Sequence, residues 1–370
     1  MNTYSSLVRP LLFRCDPEGA HDMMLGVAHH VGGSRLGRRL LRGMYAIDEP
    51  RLQMRIGELE FAHPIGLAAG FDKNGRVVEA MSAIGFSHVE VGSVSATASA
   101  GNARPRLFRL PEDEAIVVNY GVPNDGAHAI ASRLAMARID APLGVNVVET
   151  NTGQPTKVDG VVEEYVEAIR PFCGIADYFT LNLNCPNTTG GMSPFDDMER
   201  LAALLQALID LDTLQVPIFL KITAHRDEER AEALMACADP YPQVAGFIFN
   251  LPPGKGYPLS TPAAIVDPLP GTLCGAPTRQ MMDATLGFWA ARIDPQRFAL
   301  VGSGGIRSGA DAYRKIRLGA SVLQLMSALI YAGPGLVGRI CEELVELLDR
   351  DGFSQLSDAV GVDVTRTRCP

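Results

Sequence analysis

Eight times along this chain, a short apolar run rich in Val, Ile, Leu and Phe is followed by a segment with helical periodicity. The runs lie at 64–69, 89–94, 143–148, 178–184, 217–222, 246–251, 298–303 and 322–326. The helix-like segments fall near 74–84, 126–138, 160–171, 196–211, 226–237, 278–292, 309–318 and 334–349. Strands that are apolar on both sides belong in a parallel sheet covered on both faces. Eight β-then-α units close into a barrel more readily than they spread as an open sheet. The expected fold is therefore an α/β (β/α)8 TIM barrel. A length of 370 residues suits it, and a hydrophobic content of 47% supplies its core.

Residues 1–50 stand outside this rhythm. Asp16-Pro17-Glu18 reads as a helix start, with a capping carboxylate, a proline in the first turn and an acid near the positive end of the dipole. That helix would present Ala20, Met23, Met24, Val27 and Val31 on one side. Leu7, Val8, Leu11, Leu12 and Phe13 precede it, and Arg35, Arg38, Arg39 and Arg42 follow, interleaved with leucines. Two short amphipathic helices with arginines suit the surface of an anionic membrane, and equally a helical cap packed on the main domain. Residues 52–61 alternate around Gly57 and read as a hairpin. The Pro/Gly-rich stretch 252–277 is long for a βα connection and, like 186–195, is a lid candidate.

The net charge of −9 argues against a nucleic-acid partner. Seven scattered cysteines show neither a CxxC pair nor metal-ligand spacing, so reduced thiols, a cytoplasmic setting and no metal are expected. No stretch of about 20 apolar residues is present to span a bilayer.

Chemistry in such a barrel sits at the C-terminal ends of its strands. Here those ends carry Ala69, Gly70 and Lys73 after the first strand, Ser93 after the second and Asn146 on the third. Asn182, Asn184 and Cys185 follow on the fourth, Lys221 on the fifth and Asn250 on the sixth. The last two strands end in Gly302-Ser303-Gly304-Gly305 and Met326-Ser327. Amides beside a thiol can hold a flat, amide-like ligand and move a proton. Glycines after the seventh strand expose backbone N–H groups where this fold commonly binds phosphate. A phosphate there, with Lys221 deep in the mouth, fits flavin mononucleotide (FMN). A Schiff-base lysine at Lys221 is the competing chemistry, and a flavin-free barrel scaffold is the non-enzymatic alternative.

The chain resembles the membrane-associated, quinone-linked class of dihydroorotate dehydrogenases over essentially its whole length. The matching segments are Asp16 to His21, Gly66 to Gly75, Gly101 to Pro111, Asn182 to Thr188, Gly302 to Ile306 and Gly352 to Gly361. The resemblance implies a barrel over 51–370 that binds FMN. It also implies that residues 1–50 form a quinone entrance, peripherally attached to the inner face of a membrane. It assigns Ala69, Gly70, Lys73, Ser93, Asn146, Asn182, Lys221, Asn250, Gly275, Gly304, Gly305, Met326 and Ser327 to the flavin. Lys73, Asn182 and Asn187 would touch a small-molecule substrate, and Cys185 falls on the position of the base.

Three departures stand out. The quinone-linked class has serine as base, and a thiol is far more acidic, with a reference pKa of about 8.5. Two substrate-binding asparagines of the family become Val118 and Leu251, while Asn119 and Asn250 each lie one residue away. Each lost partner costs about 1–3 kcal/mol, so together they would weaken dihydroorotate by a factor on the order of 30 to 10⁴. A shift of one residue along a strand turns a side chain to the other face. Glu149 and Asn151 also occupy a segment that is glycine- and lysine-rich in the family. The expectation is thus a flavin oxidoreductase that interconverts a CH–CH bond and a C=C bond next to a carbonyl. Its substrate would be a small cyclic amide or carbonyl compound related to dihydroorotate; the alternative is an authentic dihydroorotate dehydrogenase of pyrimidine biosynthesis.

Overall fold

The computed structural model describes residues 4–154, 159–184, 193–211 and 213–365. The chain opens with α1 (Arg9–Leu12), α2 (Pro17–Gly33) and α3 (Arg35–Tyr45). The Asp16 carboxylate accepts the Gly19 N–H at 2.8 Å, and Pro17 takes the first turn, where no N–H is needed. Ser34 ends α2 and caps α3, its hydroxyl accepting the Gly37 N–H at 3.3 Å. Next comes the hairpin β1 (Met54–Ile56) and β2 (Leu59–Phe61), turned at Gly57 with φ +56°.

The remaining strands are β3 (Ile65–Leu67), β4 (Val89–Val94), β5 (Leu107–Leu110), β6 (Ala115–Val118), β7 (Leu143–Val147), β8 (Tyr178–Asn182), β9 (Ile218–Thr223), β10 (Val244–Asn250), β11 (Thr272–Gly275), β12 (Ala299–Ser303) and β13 (Ala320–Leu325). Strands β3, β4, β7, β8, β9, β10, β12 and β13 form a closed parallel barrel in that order. All eight apolar runs of the sequence become these strands. Helices α4 (Val78–Ala83), α5 (Ala127–Leu134), α6 (Val161–Ile169), α7 (Met198–Ile209) and α8 (Glu228–Ala238) follow the first five barrel strands. Beyond a short α9 (Ala263–Val266), α10 (Arg279–Ala290), α11 (Gly309–Arg317), α12 (Ser327–Ala332) and α13 (Leu336–Asp351) complete the ring. Apolar side chains on the outer face of the strands meet buried helix residues such as Leu204 and Leu208.

Inside the barrel, side chains alternate with period two. Gly66, Glu90, Gly144, Tyr178 and Gln324 share levels through the pairs Glu90↔Gly144, Gly144↔Tyr178 and Gln324↔Gly66. The glycines leave room for rings: a Cβ on Gly66 would strike His88, and one on Gly144 would strike Tyr178. The barrel floor is thus filled with side chains and its chemistry is confined to the mouth.

Two expectations change. The stretch 252–277 contains α9 and β11, and β11 joins β5 and β6 in a three-stranded antiparallel sheet. Lys255 Nζ pins it by donating to the carbonyls of Val266 (3.0 Å), Asp267 (2.9 Å) and Leu269. It is therefore a built cap rather than a free lid. In the basic run of α3, Arg38 pairs with Glu79 at 3.4 Å and Arg42 with Asp140, while Arg35 and Arg39 are exposed. Only Arg38 is turned in against the barrel; Arg42 makes its ion pair at the surface.

Candidate active site

The mouth of the barrel carries a cleft lined by Ala69, Gly70, Lys73, Ser93, Asn182, Lys221, Asn250 and Met326, all singled out from the sequence. Tyr120, Thr272 and Cys274 come from the cap or the loop beside it. A recess shares Lys221, Asn250, Leu251, Cys274 and Met326 with the cleft and continues to Gly275, Gly304, Gly305 and Ser327. Gly304 and Gly305 have φ of +76° and +69°, and a Cβ on Gly305 would run into the backbone of Arg279. Only glycine lets the chain turn here with its amides close to a ligand. Cys185 and Asn187 lie outside the described residues.

A hydrogen-bonded chain supports the floor of the cleft. Asn250 Nδ2 donates to Asn182 Oδ1 (2.7 Å) and to the Asn184 carbonyl (2.7 Å). Asn182 Nδ2 donates to Ser93 Oγ (3.1 Å), and Ser93 Oγ donates to Asn146 Oδ1 (2.5 Å). Asn146 Nδ2 donates to the fully buried Glu90 carboxylate at 2.9 Å. That carboxylate also accepts from Thr180 Oγ1 (2.9 Å) and Gln324 Nε2 (2.7 Å). A carbonyl and a carboxylate only accept, so both ends dictate which way each amide faces. Asn146 is fully buried, one layer below the cleft wall, and meets that wall through Ser93.

Lys73 is the cation of the cleft's outer half. Its Nζ donates to the Gly70 carbonyl at 2.9 Å and lies 3.7 Å from the centre of the Tyr120 ring. Burial, then the nearby Arg106, hold its pKa down to about 8, against the pull of Glu18, Asp72 and Asp22. Burial pushes the Cys274 thiol up to about 12, so this cysteine is a neutral wall residue. His21, also on the cleft wall, is kept neutral by burial and by Lys73, with a pKa of about 4; its Nε2 lies 2.9 Å from the Phe71 carbonyl oxygen.

Val118 and Leu251 both line the cleft. Asn119 does not compensate for Val118: its Oδ1 accepts from Asn102 Nδ2 at 3.1 Å, on the other side of the strand pleat. Asn250 does reach the cleft, but both of its described N–H bonds go to protein acceptors. Glu149 is buried, and Asn151 Nδ2 donates to the Gly121 carbonyl at 2.8 Å, so neither side chain brings positive charge to the cleft.

On the side toward α2 the cleft shares His21, Phe71, Leu107, Ile116 and Ile330 with an apolar tunnel. Met24, Leu25, Ala28 and Val31 of α2 and Leu41 of α3 form its outer wall. The apolar face of α2 expected from the sequence lines this tunnel, but its opposite wall at Leu329, Ile330 and Gly333 comes from the other end of the chain and was not foreseen. Glu90, Tyr120 and the Glu18–Arg106 pair were also missed. A lone glutamate within the run Val89-Glu90-Val91 was the available signal for the first.

Fold and cleft put the chain among the (β/α)8 barrel proteins whose functional groups gather at the strand ends. The profile of the family described as dihydroorotate dehydrogenase matches residues 51–348, and the chain belongs to that family. A Halobacterium salinarum protein named dihydroorotate dehydrogenase (quinone) is 36% identical over 362 residues, covering 97% of this chain and 99% of the relative. A Gloeobacter violaceus protein of the same name is 37% identical over 355 residues, covering 96% and 98%. The solved ligand-free DHODH of Eimeria tenella superposes with a TM-score of 0.79 at 28% identity, covering 94% of this chain and 99% of that one. The protein is accordingly an oxidoreductase of the dihydroorotate dehydrogenase type, acting on CH–CH bonds, and its family implies a flavin cofactor.

Proposed function

We propose that this protein is a quinone-linked dihydroorotate dehydrogenase that uses FMN. The observation carrying the proposal is three adjoining cavities that share wall residues: a glycine-backed recess, an amide-floored cleft and an apolar tunnel. The residues present fit the flavin. Gly275, Gly304, Gly305 and Ser327 would hold its phosphate, and Lys221, Ser93, Asn182 and Asn250 its ring edge, with Ala69, Gly70 and Met326 packed beside it. When bound there, the flavin would supply a hydride acceptor for the substrate and a two-electron donor for a quinone.

The chain's own groups do the rest. Lys73 would hold the substrate carboxylate, with Asn182 and Asn187 beside it. Cys185 would take the proton from the carbon next to the carbonyl, while the neighbouring carbon gives up hydride, leaving a C=C bond. Val118 and Leu251 would bound the substrate with apolar edges. Lys221 would supply positive charge beside the reduced ring.

Residues 1–50 would form the quinone entrance and the attachment to the inner face of a membrane, leaving 51–370 as the FMN barrel. Leu7, Leu11, Met23, Val27, Leu36, Leu40 and Met44 are exposed on these N-terminal helices, as interfacial helices require. Among the described residues no helix is long and apolar enough to cross a membrane.

The test is steady-state oxidation of dihydroorotate by purified protein with a short-chain ubiquinone, against fumarate and NAD as acceptors. Turnover with the quinone alone supports the proposal, and turnover only with a soluble acceptor rejects the quinone link. The apolar Val118 and Leu251 walls favour a second reading, in which the substrate is a related cyclic amide with fewer polar edges. Failure of dihydroorotate where such an amide reduces the flavin would select it.

A further inference from the structure

Glu18 sits on α2, the helix that walls the tunnel, yet its carboxylate is buried in a recess it shares with Lys73, Arg106 and Tyr120. It accepts from Arg106 Nε at 3.1 Å and Nη2 at 2.9 Å, and from Arg104 Nη2 at 3.0 Å. Arg106 is itself buried and is held in place by the carbonyls of Ala100 (2.7 Å) and Asn102 (3.0 Å). Its guanidinium lies 5.3 Å from the centre of the Tyr120 ring, the ring that Lys73 Nζ also faces at 3.7 Å. Two cations, buried Arg106 and half-buried Lys73, therefore share one aromatic ring. The charged and titratable groups around Lys73 are Glu18, His21 and Asp22 from α2, Asp72 from its own turn, and Arg106 and Tyr120 from the cap side. Asp72 is committed to the N–H groups of Arg76 (2.9 Å) and Val77 (2.7 Å), and Asp22 is exposed. Glu18 is the anion that directly neutralises the competing cation.

We infer that Glu18 is a positioning residue: by neutralising Arg106 it lets Lys73 stay charged, so the seating of the tunnel helix governs the substrate site. Lifting α2 would remove Glu18 and leave Arg106 to discharge Lys73. By linkage, a carboxylate bound at Lys73 would in turn favour the seated helix. That Lys73 receives the substrate carboxylate rests on the proposed function; the dependence of its charge on Glu18 does not.

The chain has five lysines, so 13Cε-lysine NMR of the full-length protein can follow the Lys73 titration directly, with Lys73→Met supplying the assignment. Removing an anion beside a cation lowers its pKa, so Glu18→Gln should move the Lys73 midpoint down by roughly half a unit or more. Asp22→Asn, an exposed change that leaves the fold intact, should move it in the same direction by less. Glu18→Asp should restore part of the native value. A Lys73 midpoint unchanged in Glu18→Gln overturns the inference. If Glu18→Gln does not fold, Arg106→Gln decides: with the neutralised cation removed, Glu18 faces Lys73 alone, so a raised Lys73 midpoint supports the inference and an unchanged one rejects it. Orotate binding measured across the same pH range tests the separate assignment of Lys73 to the carboxylate.

Discussion

Replacing Glu90 with leucine tests how the barrel interior supports its mouth. The substitution roughly conserves volume but removes the acceptor of three buried donors: Asn146 Nδ2, Thr180 Oγ1 and Gln324 Nε2. Each buried group left without a partner costs about 1–3 kcal/mol. Thr180 can turn its hydroxyl elsewhere, so the total expected is roughly 3–6 kcal/mol. An unfolding entropy of about 2.1 cal/mol/K per residue makes each kcal/mol worth roughly 1.3 °C in a chain of this length, giving a drop in Tm of about 4–8 °C. Glutamine should behave differently. Its carbonyl still accepts from Asn146, and its NH2 meets Gln324 and Thr180, both of which can reverse roles and accept. Glu90→Gln should therefore lose about 1–2 °C at most. Thermal melts followed by circular dichroism give both numbers. A leucine variant as stable as the native protein would refute the reasoning. So would a glutamine variant that falls as far as leucine, because the carboxylate's charge rather than its acceptor role would then be what matters.

Other outcomes follow from the cleft. Val118→Asn with Leu251→Asn should tighten orotate binding by at least tenfold if the pocket is a drifted dihydroorotate site, as measured by flavin absorbance titration; each regained hydrogen bond is worth about 1 kcal/mol. Ala28→Trp should fill the tunnel between α2 and the barrel. It should raise the KM for quinone about tenfold or more while leaving anaerobic reduction of the flavin by substrate unchanged. Lys73 has a pKa of about 8, so its charge is present below that pH and lost above it. Orotate should then bind about tenfold more weakly for each unit of pH above 8, a slope to be read by isothermal titration and lost in Lys73→Met.

How much of this was legible in the sequence depends on where a residue's partners lie. The barrel strands were legible because each is a continuous apolar run, and a strand buried on both faces can be little else at that length. The polar groups of the mouth were legible because Lys221, Asn182 and Asn250 interrupt or end such runs. The capped α2 was legible from Asp16 and Pro17, whose signals are local. Strands β5, β6 and β11 were not, because four-residue strands in Pro/Gly-rich surroundings carry almost no periodic signal. The tunnel wall, the Glu18–Arg106 pair and the Glu90 cluster join residues far apart in the chain, which periodicity does not detect. The pleat argument about Val118 and Asn119 did carry over: the valine lines the cleft and the asparagine bonds to Asn102 on the other side.

The central claim is that the strand-end cleft holds a flavin that dihydroorotate can reduce. Its most direct test is an anaerobic titration of the purified, flavin-loaded protein with dihydroorotate, followed at the flavin's visible absorption band. Stoichiometric bleaching is expected, with colour restored on adding a short-chain ubiquinone. A protein that carries no flavin, or one whose band dihydroorotate leaves unchanged, would contradict it.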